Sequence, residues 1–551
     1  MHEDSGIEAK GKFLGLTEMG SKNQYNLTTG LDHIKELGVT HIHLLPSFDF
    51  KTIDESKTEE NQFNWGYDPQ NYNVPEGSYS TNPYDASVRI RELKQLVQTL
   101  HENDLGVILD VVYNHTYSAD DSNFNLIMPK YYYRTDESGR FTNGSGCGNE
   151  IASERLMVRK FIVESIVYWA KEYKIDGFRF DLMALHDIDT MNEIREELDK
   201  IDPSIMMYGE GWVGGQSPLQ EYKMALKQNM SQLNSRIAAF SDDIRDGIKG
   251  SVFEAAEAGF VSAAKDKDES VKFGIVASVA HSQVDVKKVD YSDSFWAAEP
   301  TQTVNYASAH DNLTLWDKLK CTNPNSTDEE LTKLNKLSAA IILTSQGIPF
   351  FQAGEEMART KGGDENSYRS SDEVNQIDWK RKKEFLNLFE YYKGLILLRK
   401  TFAAFRLSNA EDIKKNIRFL DTDDNVIAYT LENPDKEIYK QFLIIFNATE
   451  DGQVFGLEGT TADILVDYEA AGNKALYTVE GDITVPAKSA CVLAIRKNSV
   501  KSEKKTVKKT KPRTNVKKIQ SEQGLQLTRD IVTVGVVAVA FVAAMILKRR
   551  K

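Results

Sequence analysis

Two short stretches carry side chains suited to covalent chemistry on a neutral substrate: "GFRFDLMALHD" at 177–187 and "YGEGW" at 208–212. In the first, Arg179 and Asp181 stand two apart in a strand-like run, so both side chains leave the same face. A guanidinium beside a carboxylate favours the charged form, and an ionised carboxylate is a nucleophile. In the second, Glu210 ends the next apolar run beside the bulky ring of Trp212, a drier setting in which a carboxyl holds its proton. One charged and one protonated carboxyl is the pairing that glycosidic cleavage uses. Two further runs end in polar residues: "DVVYNH" (110–115) supplies Asp110, Asn114 and His115, and "ASAHDN" (307–312) supplies His310, Asp311 and Asn312. Taken singly these are ordinary, because an Arg–Asp pair at this spacing or a lone Glu after a strand is most often structural. Four such endings in one chain point to a shared site.

What must position them is a set of strands. Apolar or β-branched runs occur at 40–46, 106–115, 175–183, 205–211, 236–244, 303–312 and 347–356, with longer helical periods between them. One such period, 155–173, sets Met157, Phe161, Ile162, Ser165, Ile166 and Trp169 along one face. This alternation predicts an α/β fold of parallel strands, and seven runs in this order predict a (β/α)8 TIM-type barrel over 1–404. In such a barrel the residues at the C-terminal ends of the strands form the active face. Closure takes eight strands, and no apolar run precedes 40–46, so the barrel is expected to lack its first strand. After 405 the pattern changes to alternating strands, "NVIAYTLE", "QFLIIFNAT", "ALYTVE" and "ACVLAIR", which predict an antiparallel β-sandwich over 405–497.

Composition narrows the function classes. The 551 residues carry a net charge of −14, but residues 498–551 hold 14 Lys and Arg against 3 Asp and Glu, a net +11, leaving −25 on the rest. An acidic body repels polyanions, so nucleic acid is not the expected partner. Cys147, Cys321 and Cys491 lie far apart, without the spacing of a zinc site or a disulfide framework. The loop "NGSGCGNE" (143–150) resembles a phosphate cradle only superficially, lacking the preceding strand and the GK[ST] ending. Residues 498–530 read as a Lys-rich disordered spacer. Residues 531–547, "IVTVGVVAVAFVAAMIL", are uncharged and long enough to span a bilayer, and 548–551, KRRK, form a cytoplasmic basic tail. The N-terminus, "MHEDSGIEAKGKF", has no signal-peptide pattern.

The four endings together resemble the four sequence regions of the α-amylase family of retaining glycoside hydrolases. Within it, "FNWGYDP" (63–69) is similar to a stretch of the type I pullulanases, and "MPKYYYR" (128–134) and "TNGSGCGNE" (142–150) support that likeness, which covers roughly residues 5–497. The resemblance implies a debranching enzyme cleaving α-1,6-glucosidic bonds in pullulan, glycogen and branched dextrins. It implies Asp181 as nucleophile, Glu210 as general acid/base and Asp311 as the third carboxylate. It also implies Tyr67 as the platform under the sugar, His115, Arg179 and His310 as sugar-binding groups, and Trp212 as the shaper of the acceptor side. Alternatives are an isoamylase-like or mixed α-1,4/α-1,6 hydrolase, or an inactive glucan-binding surface protein. No organic or redox cofactor is implied; many relatives use a structural calcium, and Asn114 lies where some place a ligand. In the resembling pullulanases the segment similar to "SGIEAKGKFLGLTE" follows the first barrel strand, so the chain is expected to begin just after it. The tail resembles the anchors of Gram-positive surface proteins, but "LQLTRD" (525–530) stands where their LPxTG sorting motif would be, so membrane anchoring with the catalytic domain outside is expected rather than wall attachment.

Overall fold

The seven apolar runs fold as short parallel strands in a computed structural model: β1 (His41–Leu44), β2 (Gly106–Val111), β3 (Gly177–Phe180), β4 (Met206–Gly209), β5 (Ile237–Phe240), β6 (Thr303–Tyr306) and β7 (Ile348–Phe350). The structure describes residues 2–496 apart from 58, 59, 61 and 435–437, together with 508 and 509. Each strand pairs with the next in chain order, the arrangement of a (β/α)8-type barrel. Among the described residues β1 and β7 each pair on one side, and both are half-buried along their length, unlike the inner strands. The sheet curls enough for the His43 ring on β1 to meet Phe350 on β7 at 5.7 Å between centroids.

Alternation along the strands explains the two layers of core. On β2, Val107, Leu109 and Val111 join the large core shared with the helices. Ile108 instead joins Tyr208, Phe240, Val304 and Tyr306 in a cluster that fills the barrel. Among the helices, α1 is Gly30–Leu37, α2 is Ala86–His101 and α3 is Leu156–Glu172. On α3 the buried face runs through Val158, Ile162, Ile166 and Trp169, while Met157, expected on that face, is 51% exposed. Val158 keeps the four-residue step to Ile162 that Met157 misses.

Beyond the barrel, β8 (Ile417–Phe419), β9 (Val426–Glu432), β10 (Tyr439–Asn447), β11 (Gln453–Val466), β12 (Tyr477–Val485) and β13 (Ser489–Arg496) pair antiparallel in the order β8-β9-β10-β13-β11-β12. The expected two-sheet sandwich is thus one continuous sheet. Its register breaks between Gly456 and Thr461 of β11, and alternate residues serve two cores: Ile427, Tyr429 and Ile444 the large one, Val426, Ala428 and Ile445 a second. Among the described residues no helix is long and apolar enough to cross a membrane. The span 531–547, the tail 548–551 and, save 508 and 509, the spacer lie outside the described residues.

Candidate active site

Strand register assembles the site. Asp110 on β2, Arg179 on β3 and Tyr208 on β4 are Cα partners across three neighbouring strands. One alternation further along, Asp181 and Glu210 leave the strand ends on the same face. Arg179, only 3% exposed, therefore stands among three carboxyl groups. Its Nη1 lies 2.9 Å from Asp110 Oδ1 and 2.9 Å from Asp181 Oδ1, and its Nη2 lies 2.7 Å from Glu210 Oε1. The spacing rule placed Arg179 beside Asp181 alone; the barrel's curvature brings Glu210 to the same guanidinium.

Neighbours complete each carboxyl. Asn114 Nδ2 donates to Asp181 Oδ2 at 2.8 Å, and the backbone N–H of Leu182 donates to Glu210 Oε2 at 2.8 Å. Leu182 sits at φ 39°, a left-handed conformation that a branched side chain adopts at a cost, directly after Asp181. That turn is what aims its N–H across to the neighbouring strand. Asp110 also accepts the Tyr67 hydroxyl at 2.7 Å and faces His43 Nε2 at 3.1 Å. His43 carries no mark in the sequence, being one of two histidines in the run at 40–46; only its pointing to the barrel interior distinguishes it.

Tyr67 is delivered by the segment 63–69, which precedes an antiparallel pairing of Phe48–Phe50 with Pro69–Pro75. Gly66, at φ 94°, makes the turn, and a Cβ there would fall 2.9 Å from the Phe50 ring. The Tyr67 ring stacks on His310 with centroids 5.1 Å apart. His115 is buried, with Nε2 2.9 Å from the Tyr67 carbonyl oxygen and Nδ1 2.6 Å from Asn114 Oδ1. Both ring nitrogens thus face acceptors, while burial lowers the imidazole to about 4, so at neutral pH one contact lacks a proton. Asp311 stands apart: its side chain is 54% exposed, with Oδ2 3.7 Å from His310 Nε2. Trp212 is half-buried and packs against the barrel-filling cluster.

Electrostatics separate the carboxyls. For Asp110, burial acts upward, but Arg179 and then His43 outweigh it and hold the group at about 2. Burial raises Asp181 to about 6 against the pull of Arg179, with Asp110 adding to the rise. Burial raises Glu210 further, to about 8, again against Arg179, with the Asp181 charge adding to it. Near neutral pH Asp110 and Asp181 are ionised and Glu210 keeps its proton, all three on one guanidinium. Asn114, where some relatives place a calcium ligand, has its amide nitrogen on Asp181 and its oxygen facing His115 Nδ1. Among the described residues a group of carboxylates gathers at Asp49, Glu55 and Glu76, where Arg89 already pairs with Asp49 and Glu55.

Comparison with known proteins adds the following. A family model described as the catalytic domain of alpha amylase matches residues 25–129, and one described as the all-beta domain of pullulanase matches 413–469. The pullulanase of Bacillus subtilis (strain 168) is 42% identical over 458 residues, which cover 82% of this chain and 61% of that protein. Pullulanase A of Streptococcus pneumoniae serotype 2 is 31% identical over 547 residues, 86% of this chain and 42% of that one. The crystal structure of the pullulanase from Paenibacillus barengoltzii in complex with maltohexaose and alpha-cyclodextrin superposes with a TM-score of 0.84 at 43% identity, covering 90% of this chain and 75% of that one. The chain spans less than two thirds of the length of either curated relative.

Proposed function

The chain belongs to the type I pullulanases of the α-amylase family, and we propose that it hydrolyses α-1,6-glucosidic bonds in branched α-glucans with retention of configuration. The observation that carries this reading is the single guanidinium of Arg179 shared by Asp181 and Glu210, with burial holding a proton on Glu210. Two carboxyls spanned by one guanidinium are close, as a retaining reaction requires. Asp181 attacks the anomeric carbon as the Glu210 proton passes to the departing glycosidic oxygen, giving a covalent glycosyl-enzyme. Glu210, now ionised, takes a proton from water, which displaces Asp181 and restores the starting state. Tyr67 and His310, stacked as one aromatic wall, support the sugar ring, with His115 beside them. Asp311, exposed at the rim, is free to turn onto sugar hydroxyls, and Trp212 lines the leaving-group side.

Product analysis tests the proposal. Pullulan should yield maltotriose with no attack on unbranched amylose, whereas release of linear α-1,4 fragments would favour the mixed-specificity alternative. Replacing Asp181 by Asn should remove hydrolysis by orders of magnitude while leaving glucan binding. The apolar run 531–547 and its basic end support attachment to a membrane with the catalytic part outside; recovery of the full chain wholly in the cytosolic fraction would overturn that part.

A further inference from the structure

The surroundings of Trp212 are built by a helix from the next βα unit. That helix, α4 (Asp242–Lys249), begins directly after β5, and Asp243, Arg245, Asp246 and Lys249 on it are all buried. Buried charges need partners, and these connect to the loop that carries Glu210. Lys227, whose backbone N–H donates to the Gly211 carbonyl at 3.0 Å, pairs its Nζ with Asp242 and, at 3.2 Å, with Asp243. Asp246 accepts Arg245 Nε at 2.5 Å and the Tyr291 hydroxyl at 2.6 Å. Arg245 donates Nη1 to the Tyr306 hydroxyl at 2.9 Å, and its guanidinium carbon lies 6.0 Å from the centroid of the Trp212 ring. Asp246 and Tyr306 hold the guanidinium from two directions, so its plane is set independently of Trp212. The indole thus meets both a fixed cation and the barrel-filling cluster.

We propose that Arg245 is a positioning residue that fixes the Trp212 indole and thereby the leaving-group side of the cleft, where a flat aromatic surface meets the apolar face of a glucose ring. This rests on the proposed reaction, because Glu210 defines that side: the group that protonates the leaving oxygen must face it, and Trp212 lies two residues along the same loop. Arg245 acts through the indole and touches no reacting atom.

The test is a double-mutant cycle in the full chain: Arg245→Met, Trp212→Ala and the two together, with kcat, KM and the pH profile measured on pullulan. Arg245→Met should raise KM about three- to fivefold with little change in kcat and no movement of either pH limb. In the Trp212→Ala background the same substitution should change KM less than about twofold. Equal losses in both backgrounds would show that Arg245 serves only the fold, and a displaced pH limb would show that it acts on Glu210; either result overturns the proposal. Should Arg245→Met not fold, Arg245→Lys keeps the charge but not the fork and is read by the same criterion. Should the parent chain leave pullulan intact, the proposed function fails, and the cycle is then read from dissociation constants for maltotriose on chains carrying Asp181→Asn. There, coupling upholds the role of Arg245 and additivity overturns it.

Discussion

Replacing Arg179 by Gln removes the cation that bonds Asp110, Asp181 and Glu210 at 2.7–2.9 Å. A unit charge at about 4 Å is worth about 4 kcal/mol at an effective dielectric of about 20, or about 3 pKa units. Asp110, held at about 2, stays ionised near neutral pH even after a rise of that size, so its repulsion of Asp181 remains and the rise for Asp181 is about 3 units above its position at about 6. The sign follows from charge: losing a cation disfavours the anion, so Asp181 and Glu210 both hold their protons to higher pH. At neutral pH the ionised fraction of Asp181 should fall from about nine tenths to about one hundredth, lowering kcat/KM about 100-fold from protonation alone. The whole bell-shaped profile should move to higher pH, with activity partly recovered in alkali. The assay is the pH dependence of kcat/KM on pullulan, with a thermal melt as the control for folding, because breaking a buried pair costs about 3–5 kcal/mol unless the carboxyls neutralise. A folded Arg179→Gln chain whose acid limb stays near 6 while only the plateau falls would refute this account of the electrostatics.

Three further outcomes are expected. In the unaltered chain, kcat/KM should rise through about 6 as Asp181 ionises and fall through about 8 as Glu210 loses its proton, and Glu210→Gln should abolish the alkaline limb. Gly211→Ala would place a Cβ 2.8 Å from the Lys227 backbone nitrogen and Cβ, displacing the loop that carries Glu210; kcat should drop at least about tenfold, and an unchanged kcat would show the loop to be compliant. Tyr67→Phe keeps the ring but removes the 2.7 Å bond to the buried Asp110 carboxylate, and chemical denaturation should show a loss of about 1.5–3 kcal/mol.

The strands were legible because each is an apolar run flanked by helical periods, and their polar endings were legible because a barrel's active face lies there. The helix at 156–172 was legible to one residue at either end, yet its exact face was not: Met157 and Val158 both suit a helical stripe, and only the sheet's position chooses between them. The curled single sheet after the barrel was not legible either, since alternation shows that strands have two faces without showing what covers each one. His43 was missed for a similar reason. A histidine in a short apolar strand carries no mark of its partner until the strand is paired.

Register is where sequence reasoning about the site stops. A spacing of two predicts that Arg179 and Asp181 share a face, but the alignment of β3 with β4 decides that Glu210 shares it too. Once it does, nearness to Arg179 no longer separates the two carboxyls: the guanidinium lies 2.7 Å from Glu210 and 2.9 Å from Asp181, and each carboxyl receives one further neutral donor, Leu182 N–H or Asn114 Nδ2. Two remaining differences set the order. The Glu210 side chain is the drier, 8% exposed against 14% for Asp181, so its charged form is the more costly. The two also repel, so whichever ionises first raises the other, and a small initial preference for Asp181 widens into a clear division. The proton therefore rests on Glu210 because it and Asp181, together with Asp110, share one cation, an arrangement that belongs to the pairing of strands and not to either stretch of sequence alone.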